Sequence, residues 1–129
     1  FTSKPASACF MEALDHQVTS YQRIVTLDEM FSCLAEGYPF VFGFAVYESF
    51  ESSETARTGV AHLPGDGERV VGGHAVLAVG YEKAGQRFLC RNSWGTAWGR
   101  DGYFTIPFAY LDNRNLADAF WTIRRGENM

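Results

Sequence analysis

One capped helix, followed by nothing but strand-length apolar runs, is the feature that most constrains this chain. Thr26-Leu27-Asp28-Glu29 has the form of a capping box, in which the threonine hydroxyl and the glutamate carboxylate satisfy each other's backbone N–H. Leu27, Met30, Phe31 and Leu34 follow at i, i+3, i+4 and i+7, one apolar face of a helix over 27–36. Gly37 and Pro39 stop it. Beyond that point Phe40–Tyr47, His74–Tyr81, Arg87–Arg91, Tyr103–Ile106 and Ala119–Arg124 each read as strands. Lys83-Ala84-Gly85 turns the second of these into a hairpin, and Pro107–Asp112 forms a helical turn. Residues 49–72 read as a long irregular region of the kind that carries function in compact domains. The order predicts an α+β fold, a mainly antiparallel sheet or partial barrel with one helix packed on it.

Charge and composition exclude several functions. Lys+Arg 11 against Asp+Glu 15 gives a net charge of −4, and only Arg124 and Arg125 adjoin, so no nucleic-acid partner is expected. No apolar run approaches the ~18 residues of a membrane span, so no membrane partner is expected either. With 47% hydrophobic residues and 20 aromatic rings the chain can build a core and still present an apolar contact surface.

The chemistry-bearing residues are few. G-x-S-x-G, G-x-x-x-x-G-K-[ST], H-E-x-x-H and C-x-x-C are all absent. His16, His62 and His74 have no metal-ligand spacing, so no metal and no cofactor are expected. Cys33 lies in the helix pattern and Cys90 in a strand pattern, where free thiols act as small hydrophobes.

The informative block is Gly72-Gly73-His74-Ala75-Val76, then Arg91-Asn92-Ser93-Trp94-Gly95-Thr96-Ala97-Trp98-Gly99, then Asp101-Gly102-Tyr103. In this arrangement and order it resembles the C-terminal, right-hand half of the papain-like cysteine peptidases, most clearly over 72–106. The resemblance implies a right-hand β-rich domain over 21–129, with residues 1–20 an arm or tail of a left-hand domain. It implies that His74 and Asn92 are two members of a Cys-His-Asn triad, placed side by side by a hairpin. The imidazolium of His74 would stabilise the thiolate nucleophile and later protonate the leaving amine. Asn92 would orient the ring, Trp94 would shield their hydrogen bond from water, and Trp98 would pack. It further implies a substrate pocket lined by Gly43, Ala75 and Asp118, roomy and with a carboxylate that favours a Lys or Arg side chain.

The chain departs from the family pattern at the nucleophile. Cys9 has no upstream glutamine, Cys33 sits within the helix, and Cys90 precedes Asn92 on its own strand. The triad cysteine and the oxyanion-hole glutamine belong to an N-terminal half that this chain lacks, as the start at Phe1 would fit. The expected partners are that half and a peptide or protein substrate; alone, the chain is expected to be inactive and to associate with itself. The alternative reading is a non-catalytic papain-like module that binds peptide or protein.

Overall fold

The capping box forms as read. In the computed structural model, which describes residues 19–125, Thr26 Oγ1 accepts the Glu29 backbone N–H at 3.1 Å. Glu29 Oε1 in turn accepts the N–H groups of Val25 (2.7 Å) and Thr26 (3.1 Å), which hold its carboxyl below the usual carboxylate range. Helix α1 (Leu27–Ala35) follows and buries Met30 and Cys33. Its Phe31 ring packs among Tyr81, Phe88 and Phe108.

Six strands make one antiparallel sheet: β1 (Thr19–Ile24), β2 (Phe40–Tyr47), β3 (Val70–Glu82), β4 (Arg87–Arg91), β5 (Tyr103–Pro107) and β6 (Ala117–Arg125). Their spatial order is β1-β6-β2-β3-β4-β5, so β1 and β5 are edges and the sheet stays open. The alternation of β2 explains which face is buried. Phe40, Phe42, Phe44 and Val46 point inward, with Val76, Ala78, Phe88, Cys90, Phe104, Ile106 and Phe120 from neighbouring strands. Each fully buried phenylalanine contributes on the order of 1.5–3 kcal/mol.

Three expectations change in detail. The region 49–72 is not irregular throughout. It holds a 3-10 helix (Glu48–Glu51), helix α2 (Ser53–Thr58) and the first residues of β3. Ser52 caps α2 by accepting the Thr55 N–H, and Gly59 closes it in the left-handed conformation. His74 does not open its strand: β3 starts at Val70, because Gly72 and Gly73 pair with Val46 and Ala45 of β2. The last strand starts at Ala117, and Ala119, at φ 59°, is the extra residue of a bulge against β2.

Helix α3 (Phe108–Leu111) matches the expected helical turn. β1 has no counterpart in the sequence reading. It begins at Thr19, within the segment read as an arm; the rest of that arm, including Cys9, lies outside the described residues.

Candidate active site

His74 lies on β3 opposite Phe44 of β2, and Asn92 follows the last residue of β4. Because β3 and β4 pair from Leu77–Arg91 onward, the chain leaving β4 passes the earlier part of β3 and brings the two side chains together. His74 Nε2 and Asn92 Oδ1 are 2.8 Å apart. The Ser93 backbone N–H donates to the same Oδ1 at 2.7 Å. A backbone N–H can only donate, so the atom facing it must be the amide oxygen. That oxygen must then accept from His74 as well, so Nε2 carries a proton and Nδ1 is the nitrogen left for chemistry.

Asn92 is held on both sides. Its own N–H donates to Gly102 O at 2.9 Å, and the Gly102 N–H donates to Trp98 O at 2.8 Å. The residue is 6% exposed, and its Nδ2 is buried with no hydrogen-bond partner among the described residues. Trp94 stacks on His74 with ring centroids 5.0 Å apart and planes 19° apart. Phe50 and Trp98 meet Trp94 edge-on at 5.7 and 5.2 Å. Trp98 also packs on Phe104, the packing role expected of it.

The three residues expected to line a substrate pocket are neighbours across three strands. Gly43 pairs with Ala75 of β3 on one side and Asp118 of β6 on the other. Gly43, Asp118 and His74 line one groove of about 450 Å³, while Ala75 lines a neighbouring groove of about 800 Å³ with Asn92. Asp118 Oδ1 accepts the Ala119 N–H at 2.6 Å, which fixes the carboxylate on the bulge.

Two contributors escaped the sequence reading. Phe50, in the region read as irregular, supports Trp94; the turn that places it is set by non-local packing. Arg114 lines the smaller groove, with its guanidinium donating to Leu111 O and Val25 O and lying 4.8 Å from the Phe120 ring.

Neither described cysteine has the setting of a nucleophile. Cys33 Sγ donates to Tyr38 O at 3.2 Å, and Cys90 is fully buried, which pushes its thiol pKa far up. Among the described residues no cluster of His, Cys, Asp or Glu could hold a metal ion, and no helix is long and apolar enough to cross a membrane.

Comparison with known proteins gives this geometry its setting. The chain is 39% identical to an uncharacterized peptidase C1-like protein of Acanthamoeba polyphaga mimivirus, over 96% of this chain and 43% of that protein. It is 44% identical, over 58% of this chain and 23% of the relative, to digestive cysteine proteinase 1 of Homarus americanus. The crystal structure of xylellain, a cysteine protease from Xylella fastidiosa, superposes with a TM-score of 0.81 at 42% identity, covering 96% of this chain and 46% of that one. The chain thus spans less than half the length of these relatives and matches their C-terminal part. The family model of papain family cysteine proteases matches residues 3–118, nearly the whole chain, and the protein belongs to that family.

Proposed function

We propose that this chain is the His/Asn-bearing half of a peptidase that hydrolyses peptide bonds through a Cys-His-Asn triad, with the cysteine supplied by an N-terminal half. The observation that carries the reading is the 2.8 Å hydrogen bond from His74 Nε2 to Asn92 Oδ1, with its proton assigned by Ser93. It leaves Nδ1 to exchange a proton with the reacting groups, as a triad requires.

In the proposed cycle a thiolate attacks the scissile carbonyl carbon while His74 holds a proton on Nδ1. That proton passes to the leaving amine as the C–N bond breaks, and an acyl-thioester remains. Nδ1 then takes a proton from water, whose oxygen attacks the thioester. Departure of the acid product regenerates the thiolate and the imidazolium. Asn92 keeps the ring in one orientation throughout, and Trp94 covers one side of the hydrogen bond. Gly43, Ala75 and Asp118 form the substrate pocket, and the Asp118 carboxylate attracts a Lys or Arg side chain.

The chain alone holds no nucleophile in this scheme and is inactive. Cleavage of a peptide substrate by the full-length protein, lost in its His74→Ala variant, tests the reading. Full activity in that variant would remove it. A full-length protein that binds peptides without cleaving them would favour the non-catalytic module.

A further inference from the structure

Asp118 and Arg114 bring opposite charges to one groove and do not pair. Both are exposed, and both line the groove of about 450 Å³ that Gly43 and His74 also line. The ion pair found among the described residues joins Arg69 to Glu48 instead. Arg114 is not free to cross the groove. Its Nη1 donates to Leu111 O at 2.7 Å, its Nη2 donates to Val25 O, and its guanidinium carbon lies 4.8 Å from the centre of the Phe120 ring. Two carbonyls and an aromatic face thus hold the cation in place. Asp118 is held too, by the Ala119 N–H on its Oδ1.

Two charges kept apart in this way leave hydrogen-bonding capacity for a ligand. A guanidinium carries five N–H donors in a planar fork, and the contacts to Leu111 and Val25 use two of them. A carboxylate offers about four lone-pair sites, and the contact to Ala119 uses one.

We propose that Arg114 is a specificity-determining residue of this groove: a fixed cation that weakens the selection for Lys or Arg exerted by Asp118 and gives an acidic substrate side chain a partner. This rests on the reading above, in which the groove takes a substrate side chain. A groove of about 450 Å³ is about 10 Å across, and two unit charges that far apart in water change an affinity about twofold. Arg114 therefore disfavours a substrate lysine about twofold and favours a glutamate about twofold, which sets the Lys/Glu ratio about fourfold below the value Asp118 alone would give.

The test measures, at low ionic strength, binding to the full-length protein of peptides in which a ketomethylene group replaces the scissile amide, so that nothing is cleaved. Each position on the N-terminal side of that group carries Lys, Gln or Glu in turn, and the position that responds to Asp118→Asn reports the groove. There Arg114→Gln should raise the Lys/Glu affinity ratio about fourfold. Arg114→Lys, which keeps the charge but not the fork, should leave the ratio near the wild-type value. Salt separates charge from shape: at 1 M, where the Debye length is about 3 Å, the effect of Arg114→Gln should vanish. An unchanged ratio in Arg114→Gln, or a change only at a position that Asp118→Asn does not affect, overturns the proposal. So does an equal change in Arg114→Lys, or one that persists at 1 M salt; either assigns the effect to the lost contacts with Leu111 and Val25. Failure to bind any of the peptides overturns it as well. Cleavage of the corresponding amide peptides is scored separately. Binding with the expected ratios but no cleavage sinks the peptidase reading alone, and cleavage with unchanged ratios sinks the role of Arg114 alone.

Discussion

The rings of His74 and Trp94 lie 5.0 Å apart and within 19° of parallel, while Trp94 itself remains 42% exposed. One face of the indole is thus given to the imidazole and the other to solvent. Phe50 and Trp98 hold the indole from its edges, so its position over the His74 ring is fixed by packing. A hydrogen bond kept from water is electrostatically stronger than an exposed one. Trp94→Ala should therefore speed solvent exchange of the His74 Nε2 proton, followed by NMR, and Trp94→Phe should do so less. In the full-length protein cleavage should fall by about fivefold in Trp94→Ala, the worth of ~1 kcal/mol in one hydrogen bond. An unchanged exchange rate in Trp94→Ala would show that the indole shields nothing.

In the proposed cycle His74 and Asn92 have different tasks, so their losses should differ in size. His74→Ala removes the proton carrier and should lower kcat/KM of the full-length protein on a peptide substrate by at least ~10²–10⁴. Asn92→Ala removes only the orientation of the ring and should cost less. Equal losses would mean that Asn92 does more than orient.

What could be read from the sequence follows the range of the interactions. Helix α1 was legible because its capping box and its apolar face are both local. The His74–Asn92 pairing was legible because one hairpin joins the two residues. β1 was not: among Tyr21–Ile24 only Ile24 enters the core, and the strand exists because it pairs with β6 at the other end of the chain. Helix α2 was missed because it is polar and buries only Thr55; a serine cap and Gly59 define it.

Asp118 serves both the backbone and the proposed pocket, and a substitution can separate the two. Asp118→Asn keeps an oxygen to accept the Ala119 N–H, now at 2.6 Å, but removes the charge. If the charge selects substrates, profiling on a peptide library should show loss of preference for Lys or Arg at this pocket in Asp118→Asn, with stability nearly unchanged. Asp118→Ala should lose both. An unchanged profile in Asp118→Asn discards the charge-pairing role.

Burial raises the Cys90 thiol pKa, so this group titrates in the unfolded chain before it does in the folded one. Above the ordinary thiol pKa, about 8.5, the unfolded state binds fewer protons than the native state. Stability contributed by neutral Cys90 is thus full below that pH and is lost as pH rises past it. The slope should approach ~1.4 kcal/mol per pH unit. Tyr110, raised chiefly by burial and then by Tyr47 and Glu68, adds to the decline near pH 10. Urea unfolding across this range measures the slope, and Cys90→Ala should flatten its first part while lowering stability overall. A slope that persists in Cys90→Ala would assign it to another group.

Gly99 joins three parts of the site. Its N–H donates to Ala56 O at 2.6 Å, which ties the glycine-rich loop after Asn92 to helix α2. A Cβ at Gly99 would lie 2.5 Å from Tyr103 O and 3.5 Å from the Gly59 Cα, and its φ of 64° is left-handed. The close atoms are backbone, so neither can swing away. Gly95 is the control: its φ of 91° is also positive, but a Cβ there meets nothing within 4 Å. Gly95→Ala should therefore cost only the conformational strain, about 1–2 kcal/mol. Gly99→Ala adds the clash and should cost about 3 kcal/mol or more. Because Gly102 O holds the Asn92 N–H on the same loop, Gly99→Ala should also broaden the His74 ring signals, whereas Gly95→Ala should leave them sharp. Urea unfolding of the two variants, with NMR of His74, tests both effects; equal stability losses would show that the loop accommodates the added methyl and that the close approach to Tyr103 is not required.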